Sequence, residues 1–458
     1  MLVTQAYRYA LDPTPRQQRA LRSHCGAARY AYNWGLDLVK QRLDERAAGH
    51  EVELPWTLPA LQREWNRAKH VVAPWWRENS KEAYKSGLEA LAPALQNWAD
   101  SKHGRRKGPK VGFPQRKTKH RTRPACRFTT GAIRVETDRH HVVLPTIRRV
   151  KTHESTRKLA RRLEAGTARI LSATVTCTAD RWHVSFIVEV QRAIPASPAA
   201  SQRRAGTVGV DVGIRHLAVL STGQVIPNPR TLDQAQRRLR RLNRQLARRQ
   251  GPRTPDGLYR TPSTGWQQTQ QRLARAHARV ANVRRDRLHR LTTRLATRHQ
   301  TIVVERLNVA GMVRNRRLAR AISDAGLAKL RRMLSYKTTW YGSVLVTADQ
   351  WYPSSKTCSA CRAVKAKLSL SARVFDCDAC GIRIDRDFNA ACNLAALVNE
   401  LVAGSGLETL NARGGDGRPG SARQTPVKRE AGASTALGKA STAASQGVAT
   451  QEKLLSLG

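Results

Sequence analysis

The sequence predicts a multidomain chain of α+β plus α/β class, and three observations carry that expectation. Apolar residues at helical spacing dominate before residue 100, then give way to short β-branched runs between Cys126 and Val190. A second alternation of strands and helices opens at Gly206, and two Cys-x-x-Cys pairs interrupt it late. At 458 residues, with 40% hydrophobic residues and ten Trp, the chain has the length for two to four domains and enough apolar mass for real cores. Disorder throughout is excluded.

Residues 2–10 read as a short strand. Thr14-Pro15 then marks a helix start that runs through Gln17, Leu21, Cys25, Ala28 and Tyr32. A second helix around 80–98 carries Tyr84, Leu88, Leu91, Leu95 and Trp98 on one face. From 102 to 123 the apolar pattern stops, and Arg105, Arg106, Lys107, Lys110, Arg116, Lys117, Lys119, Arg121 and Arg123 crowd around Phe113-Pro114. Such a charge run is read here as a nucleic-acid contact, because the rest of the chain is basic too. Four β runs follow at 127–135, 141–147, 170–176 and 182–190, with Thr178-Ala179-Asp180-Arg181 as a turn, and 193–205 reads as a linker.

The second domain begins with a strand at 207–213 and another at 216–220, closed by Ser221-Thr222-Gly223. Two long helices follow. The first has Leu232, Leu239, Leu242 and Leu246 on its apolar stripe, the second Leu273, Val280, Val283, Leu288, Leu291 and Leu295. Their other faces are almost purely basic, from Arg237 to Arg249 and from Arg275 to Arg287. A strand at 301–305, a helix at about 325–341, a strand at 343–348, the Cys-rich insert and a helix from about 387 to 402 complete the domain. Residues 403–458, rich in Gly, Ser, Ala and Thr, are expected to be a disordered tail.

Charge narrows the class of partner. The 82 Lys and Arg against 33 Asp and Glu give +49, of which only +3 lies beyond residue 402. A body so charged would repel itself unless a polyanion shared its surface, so nucleic acid is the expected partner. No run of 18 apolar residues exists for a membrane span, and Met1-Leu2-Val3-Thr4-Gln5 lacks a secretory pattern. A cytoplasmic, nucleoid-associated protein is expected. The eight Cys fit a reduced compartment, four in pairs and four (Cys25, Cys126, Cys177, Cys392) scattered singly.

Cys358-x-x-Cys361 and Cys377-x-x-Cys380, separated by fifteen residues, have the ligand spacing of a four-thiolate zinc ribbon, a closed and therefore structural site. The scarce acids are more informative still. Asp211 lies within Val208-Gly209-Val210-Asp211-Val212-Gly213, Glu305 ends the apolar run Ile302-Val303-Val304, and Asp385 and Asp387 precede the last helix. An acid in an apolar strand is costly unless a cation compensates it. Each has a dull explanation alone, as an Arg partner or a helix cap. Their order does not: Asp on the first strand, Glu on a later one and Asp at a late helix is the layout of an RNase H-like (RuvC) nuclease, whose acids hold two Mg²⁺ ions for phosphodiester hydrolysis.

Four motifs in this order resemble the OrfB/TnpB family of insertion-sequence proteins, RNA-guided DNA endonucleases related to type V CRISPR effectors. They are Gly209-Val210-Asp211-Val212-Gly213-Ile214, Val304-Glu305-Arg306-Leu307-Asn308-Val309-Ala310-Gly311-Met312, Trp351-Tyr352-Pro353-Ser354-Ser355-Lys356-Thr357-Cys358-Ser359-Ala360-Cys361, and Asp385-Arg386-Asp387-Phe388-Asn389-Ala390-Ala391. Weaker matches are Tyr30 to Leu38 and Gly112-Phe113-Pro114. The resemblance implies that Asp211, Glu305 and Asp387 are catalytic and hold Mg²⁺, and that the four paired Cys hold one structural Zn²⁺. Asp385 is then a helix-entry acid. Arg306 is a minor departure, since a second acid or a polar residue is common there.

The resemblance also implies a wedge-like β-barrel from 1–12 and 125–192, with 13–124 inserted as a helical recognition lobe. A RuvC-like domain at 206–357 and 381–402 would then contain a zinc ribbon at 358–380. The partners it implies are a guide RNA from the element's end and target double-stranded DNA, read by backbone shape while base pairing supplies sequence. Two other functions remain open on the residues: an RNA-independent transposase or recombinase, and a zinc-ribbon regulator that binds nucleic acid without cutting it.

Overall fold

A computed structural model describes residues 1–119, 122–250, 262–369 and 371–404, the last five by backbone alone. The expected disordered tail lies outside them from residue 405 on. The described chain forms two compact units, divided at Arg192 and Ala193. None of its helices is long and apolar enough to cross a membrane.

In the first unit, β1 (Leu2–Asp12), β2 (Ala125–Phe128), β3 (Arg134–Val135), β4 (His141–Leu144), β5 (Arg148–Thr152), β6 (Ala168–Thr178) and β7 (Arg181–Gln191) pair in the order β2-β6-β7-β1-β5-β4-β3. These strands form an open ladder with β2 and β3 as its edges. Strict alternation makes β7 a strand: Trp182, Val184, Phe186, Val188 and Val190 are buried, and the residues between them are not. Ala179 and Asp180, with φ of 53° and 64°, make the two-residue left-handed turn that suits the twist of an antiparallel hairpin.

Helices α1 (Pro15–Ala47), α2 (Leu58–Val72), α3 (Lys81–Lys102) and the short α4 (Arg157–Glu164), with a 3-10 turn at Pro74–Glu78, complete this unit. Thr14 and Gln17 form a reciprocal capping box at the start of α1. Trp65 of α2 stacks on Tyr84 of α3 with ring centroids 4.9 Å apart. The basic segment is tethered rather than free. Asn33 of α1 exchanges hydrogen bonds of 2.9 and 2.8 Å with the backbone of Lys117, Arg116 pairs with Asp37 at 2.9 Å, and Lys117 Nζ sits 3.7 Å over the Tyr32 ring.

The second unit holds a five-stranded sheet of β8 (Thr207–Asp211), β9 (His216–Leu220), β10 (Val225–Pro227), β11 (Thr301–Glu305) and β12 (Val344–Ala348), in the order β10-β9-β8-β11-β12. The β8–β9–β10 pairings are antiparallel, while β8, β11 and β12 run parallel. Buried parallel strands need cover on both faces, and their near-continuous apolar runs reflect it. Val208, Val210, Ile302 and Val304 pack with Leu288, Leu291 and Leu295 of α7 (Thr264–Arg298) and Leu330 and Leu334 of α10 (Leu327–Tyr341). On the opposite face Val303 and Val346 meet Leu394 and Val398 of α11 (Arg386–Gly404).

Helices α5 (Ala200–Ala205), α6 (Thr231–Arg249), α8 (Val309–Met312) and α9 (Ala319–Ala325) and the hairpin of β13 (Val374–Asp376) and β14 (Arg383–Asp385) complete the described elements. The segment expected as a linker therefore contains a helix. Its Gln202 is buried and donates to the carbonyls of Ala296 at 2.8 Å and Tyr341 at 3.2 Å. Most arginines of α6 are exposed, from Arg237 to Arg248. Two basic side chains also tie elements together: Arg249, itself exposed, donates to the carbonyl of Gly265 and the hydroxyl of Thr269, and Arg284 donates to the carbonyl of Ser323.

Candidate active site and cysteine cluster

Asp211 and Glu305 stand at the carboxyl ends of the parallel neighbours β8 and β11, each directly after the paired residues Val210 and Val304. This edge of an open α/β sheet is where ligands bind in such folds. Alternation puts Asp211 on the same face as Gly209, and Glu305 on the same face as Val303, which packs against α11. Gly209 permits the next step. A Cβ there would lie 1.9 Å from the carbonyl oxygen of Ala391 and 2.6 Å from the amide of Ala395, so the backbone of α11 rests directly on β8. Asp387, one turn before Ala391, is thereby carried to the same edge.

The electrostatics agree with the placement. Burial, reinforced by the charges of Glu305 and Asp387, pushes the Asp211 carboxyl up to about 8, against a smaller opposing pull from Arg386. Arg386 Nη2 also donates to Asp387 Oδ1 at 3.2 Å. Asp385 plays a different part. Its Oδ1 accepts from the amides of Asp387 and Phe388, both at 3.0 Å, and so caps α11. Three acids converge, and the fourth caps the start of the helix that brings one of them.

Gly209→Ala tests this scaffold. The added methyl meets backbone that cannot rotate away, so α11 must shift; the expected cost is about 3 kcal/mol or more of unfolding free energy. Urea unfolding measures it, and an unchanged midpoint would mean that helix and strand are not in contact.

Sequence reasoning missed three residues here. The hydroxyl of Ser354 donates to Glu305 Oε1, and the wholly buried amides of Asn389 and Asn393 hold the loop that carries Ser354. The only available signal was two amides at i and i+4 in the otherwise apolar Phe388-Asn389-Ala390-Ala391-Cys392-Asn393.

The four paired cysteines come together, with all their Sγ atoms within 4.8 Å of one another. Cys358 and Cys380 Sγ are 3.7 Å apart, and Cys361 and Cys377 Sγ 3.5 Å. A tetrahedral metal at about 2.3 Å from each sulfur needs edges of about 3.8 Å, so the donor set fits one Zn²⁺. Burial raises the Cys358 thiol, but hydrogen bonds from the backbone amides of Cys361 and Ala360 and from the neighbouring thiols outweigh it and lower it, while the same thiols push Cys380 up, so the four share their protons as one group.

Comparison with known proteins places the chain in a family. Residues 185–316 match the OrfB/IS605 family profile described as "Probable transposase", and residues 1–47 match the helix-turn-helix domain profile of the same family. Residues 328–394 match the TNB domain of Cas12f1-like proteins. The chain is 43% identical to a protein of Mycobacterium tuberculosis H37Rv, over 85% of this chain and 86% of that one. It is 32% identical to one of Streptomyces pristinaespiralis (94% and 98%), and 27% identical to InsQ of Escherichia coli K12 (87% and 93%). All three are described as "Putative RNA-guided DNA endonuclease". Among solved structures, a Cas12f1–sgRNA–target DNA complex aligns over 86% of this chain and 99% of that one, with a TM-score of 0.47 and 12% identity. The chain belongs to the OrfB/TnpB family of insertion-sequence proteins.

Proposed function

We propose that this chain is an RNA-guided DNA endonuclease of the RuvC type, in which Asp211, Glu305 and Asp387 hold divalent cations at the carboxyl edge of the β8–β11 sheet. The observation that carries the reading is the convergence of Asp211, Glu305 and Asp387 at one sheet edge, where α11 rests directly on β8 and where burial and the other two acids push the Asp211 carboxyl up. A site that gathers negative charge at such expense fits cations better than it fits a structural role. An all-oxygen donor set suits Mg²⁺. When bound, Mg²⁺ would supply charge neutralisation at the scissile phosphate and a water of lowered pKa.

The protein's own contributions follow from its elements. The parallel strands fix Asp211 and Glu305, and α11 delivers Asp387. The order β10-β9-β8-β11-β12, with an antiparallel lead and parallel followers, supports an RNase H-like domain. The cysteine cluster is read as a zinc ribbon that braces α11. In the first unit the sheet is read as the wedge and its helices as a recognition lobe. The exposed arginines of α6 and the tethered basic segment would grip RNA and DNA phosphates, in bacterial cytoplasm where the chromosome lies.

Purification of the full chain from cells that also express the element's ends tests guide dependence. The expected result is one discrete bound RNA. Protein that arrives without RNA, yet cuts or joins the element's own ends, would favour an RNA-independent transposase. Protein that binds both nucleic acids and never cuts would favour a regulator.

A further inference from the structure

Ser354 has no place yet in the assignment of the acids, although it is 2% exposed and its one hydroxyl proton is spent on Glu305 Oε1. It lies 49 residues from Glu305 in sequence, so something must hold it there. Its carbonyl accepts from Asn393 Nδ2 at 2.8 Å, and the same amide donates to the carbonyl of Thr357 at 2.6 Å. One turn earlier, Asn389 donates to Thr357 O at 2.7 Å and accepts from the Ser359 amide at 2.9 Å. Both asparagines are wholly buried on one side of α11, where an unsatisfied amide would cost a few kcal/mol. Both Nδ2 groups and Asn389 Oδ1 bond the Ser354–Ser359 backbone instead, and Asn393 Oδ1 accepts from Arg362 Nη1 at 3.0 Å.

The consequence is a closed mechanical loop. The helix that carries Asp387 fixes the backbone of Ser354, and Ser354 fixes Glu305 on β11. We infer that Ser354 is a positioning residue: its hydroxyl holds one oxygen of the Glu305 carboxylate, which orients the other for a divalent cation, and Asn389 and Asn393 tie that orientation to Asp387. The inference rests on the reading of Glu305 as a metal-holding acid. Hydrogen-bond partners of metal ligands typically change metal affinity or activity 10–100-fold when removed.

The test compares Ser354→Ala, Ser354→Thr and Glu305→Gln in the full-length, zinc-loaded guide-RNA complex. Two readouts are taken: the Mg²⁺ concentration for half-maximal DNA cleavage, and the Kd for Mn²⁺ from the electron paramagnetic resonance signal of the free ion. Ser354→Ala is expected to raise both by roughly tenfold or more, with zinc content and DNA binding unchanged. Ser354→Thr, which keeps the hydroxyl, is expected to return both toward wild-type values. Wild-type Mg²⁺ and Mn²⁺ values in Ser354→Ala would overturn the inference, as would a Thr variant no better than Ala. If Ser354→Ala folds poorly, Ser354→Cys, close in shape but a weaker donor, is judged by the same criterion. Glu305→Gln separates the two levels. Its full activity would remove the reading of the site, whereas its inactivity beside an unaffected Ser354→Ala removes only the positioning role.

Discussion

Asp211→Asn is expected to abolish DNA cleavage, by about a thousandfold or more, while making the Mg²⁺-free protein harder to unfold. The loss follows if the carboxylate holds a cation, since several kcal/mol of charge stabilisation are then forfeited at about 1.4 kcal/mol per tenfold in rate. The gain follows from linkage. The Asp211 carboxyl titrates at about 8 in the fold and near its ordinary 3.8 when unfolded. Between those values the folded state holds a proton that the unfolded state has released, so stability falls as pH rises from about 4 to about 8. At pH 7 the cost is at most about 4 kcal/mol, and partial exposure trims it. Asparagine carries no such cost. The variant should therefore match the wild type near pH 4 and exceed it most at pH 8, in urea unfolding without Mg²⁺ and with zinc retained. Equal stability at both ends of that range would contradict a crowded acid cluster.

Replacing Cys377 and Cys380 together by Ser is expected to remove the bound zinc and to unfold the hairpin that contains them. The hairpin has almost no core of its own. Among its described residues only Cys358, Phe375 and Cys377 are buried, with Ala363, Leu368, Ile382 and Ile384 partly so around them. A two-stranded hairpin of this size is marginal in water, and zinc supplies about 10–16 kcal/mol in comparable sites. The damage should spread, because β14 runs directly into α11 and the Ser359 amide is held by Asn389. Elemental analysis should find no zinc, proteolysis should cut within 358–385, and cleavage should fall with Asp387 no longer held. Full cleavage by zinc-free protein would contradict the bracing role.

Much of this was legible in the sequence wherever a local rule had a local cause. Thr14-Pro15 announced α1 because its cap closes within three residues, and Ala179-Asp180 announced the β6–β7 turn. The acids were legible through cost, since a carboxylate in an apolar strand has to be compensated. What the sequence hid was set by distant contacts. Helix α2 escaped notice because it buries only Ala60, Leu61 and Trp65, too thin a stripe to read as periodic. Residues 141–147 looked like one strand, yet Thr146 and Arg148 adopt φ of 65° without a glycine to announce the turn, so the strand stops at Leu144 and β5 begins at Arg148, beyond the expected run. Gln202 made a helix of a segment that composition marked as linker, through carbonyls 94 and 139 residues away. Ser354 is the extreme case. Nothing in its neighbours points to Glu305, and the α11 asparagines, with Tyr352 bonded to the Asn393 carbonyl, bring the two together.

The reading stands most directly on cleavage with a chosen guide. Wild-type complex loaded with a guide RNA of defined sequence, given plasmids that do or do not contain the matching target, should cut only the matching plasmid and only with Mg²⁺. Changing the guide should move the cut, and Asp211→Asn should bind the target without cutting it. Cutting that ignores the guide sequence, or that persists undiminished in Asp211→Asn, would contradict the account.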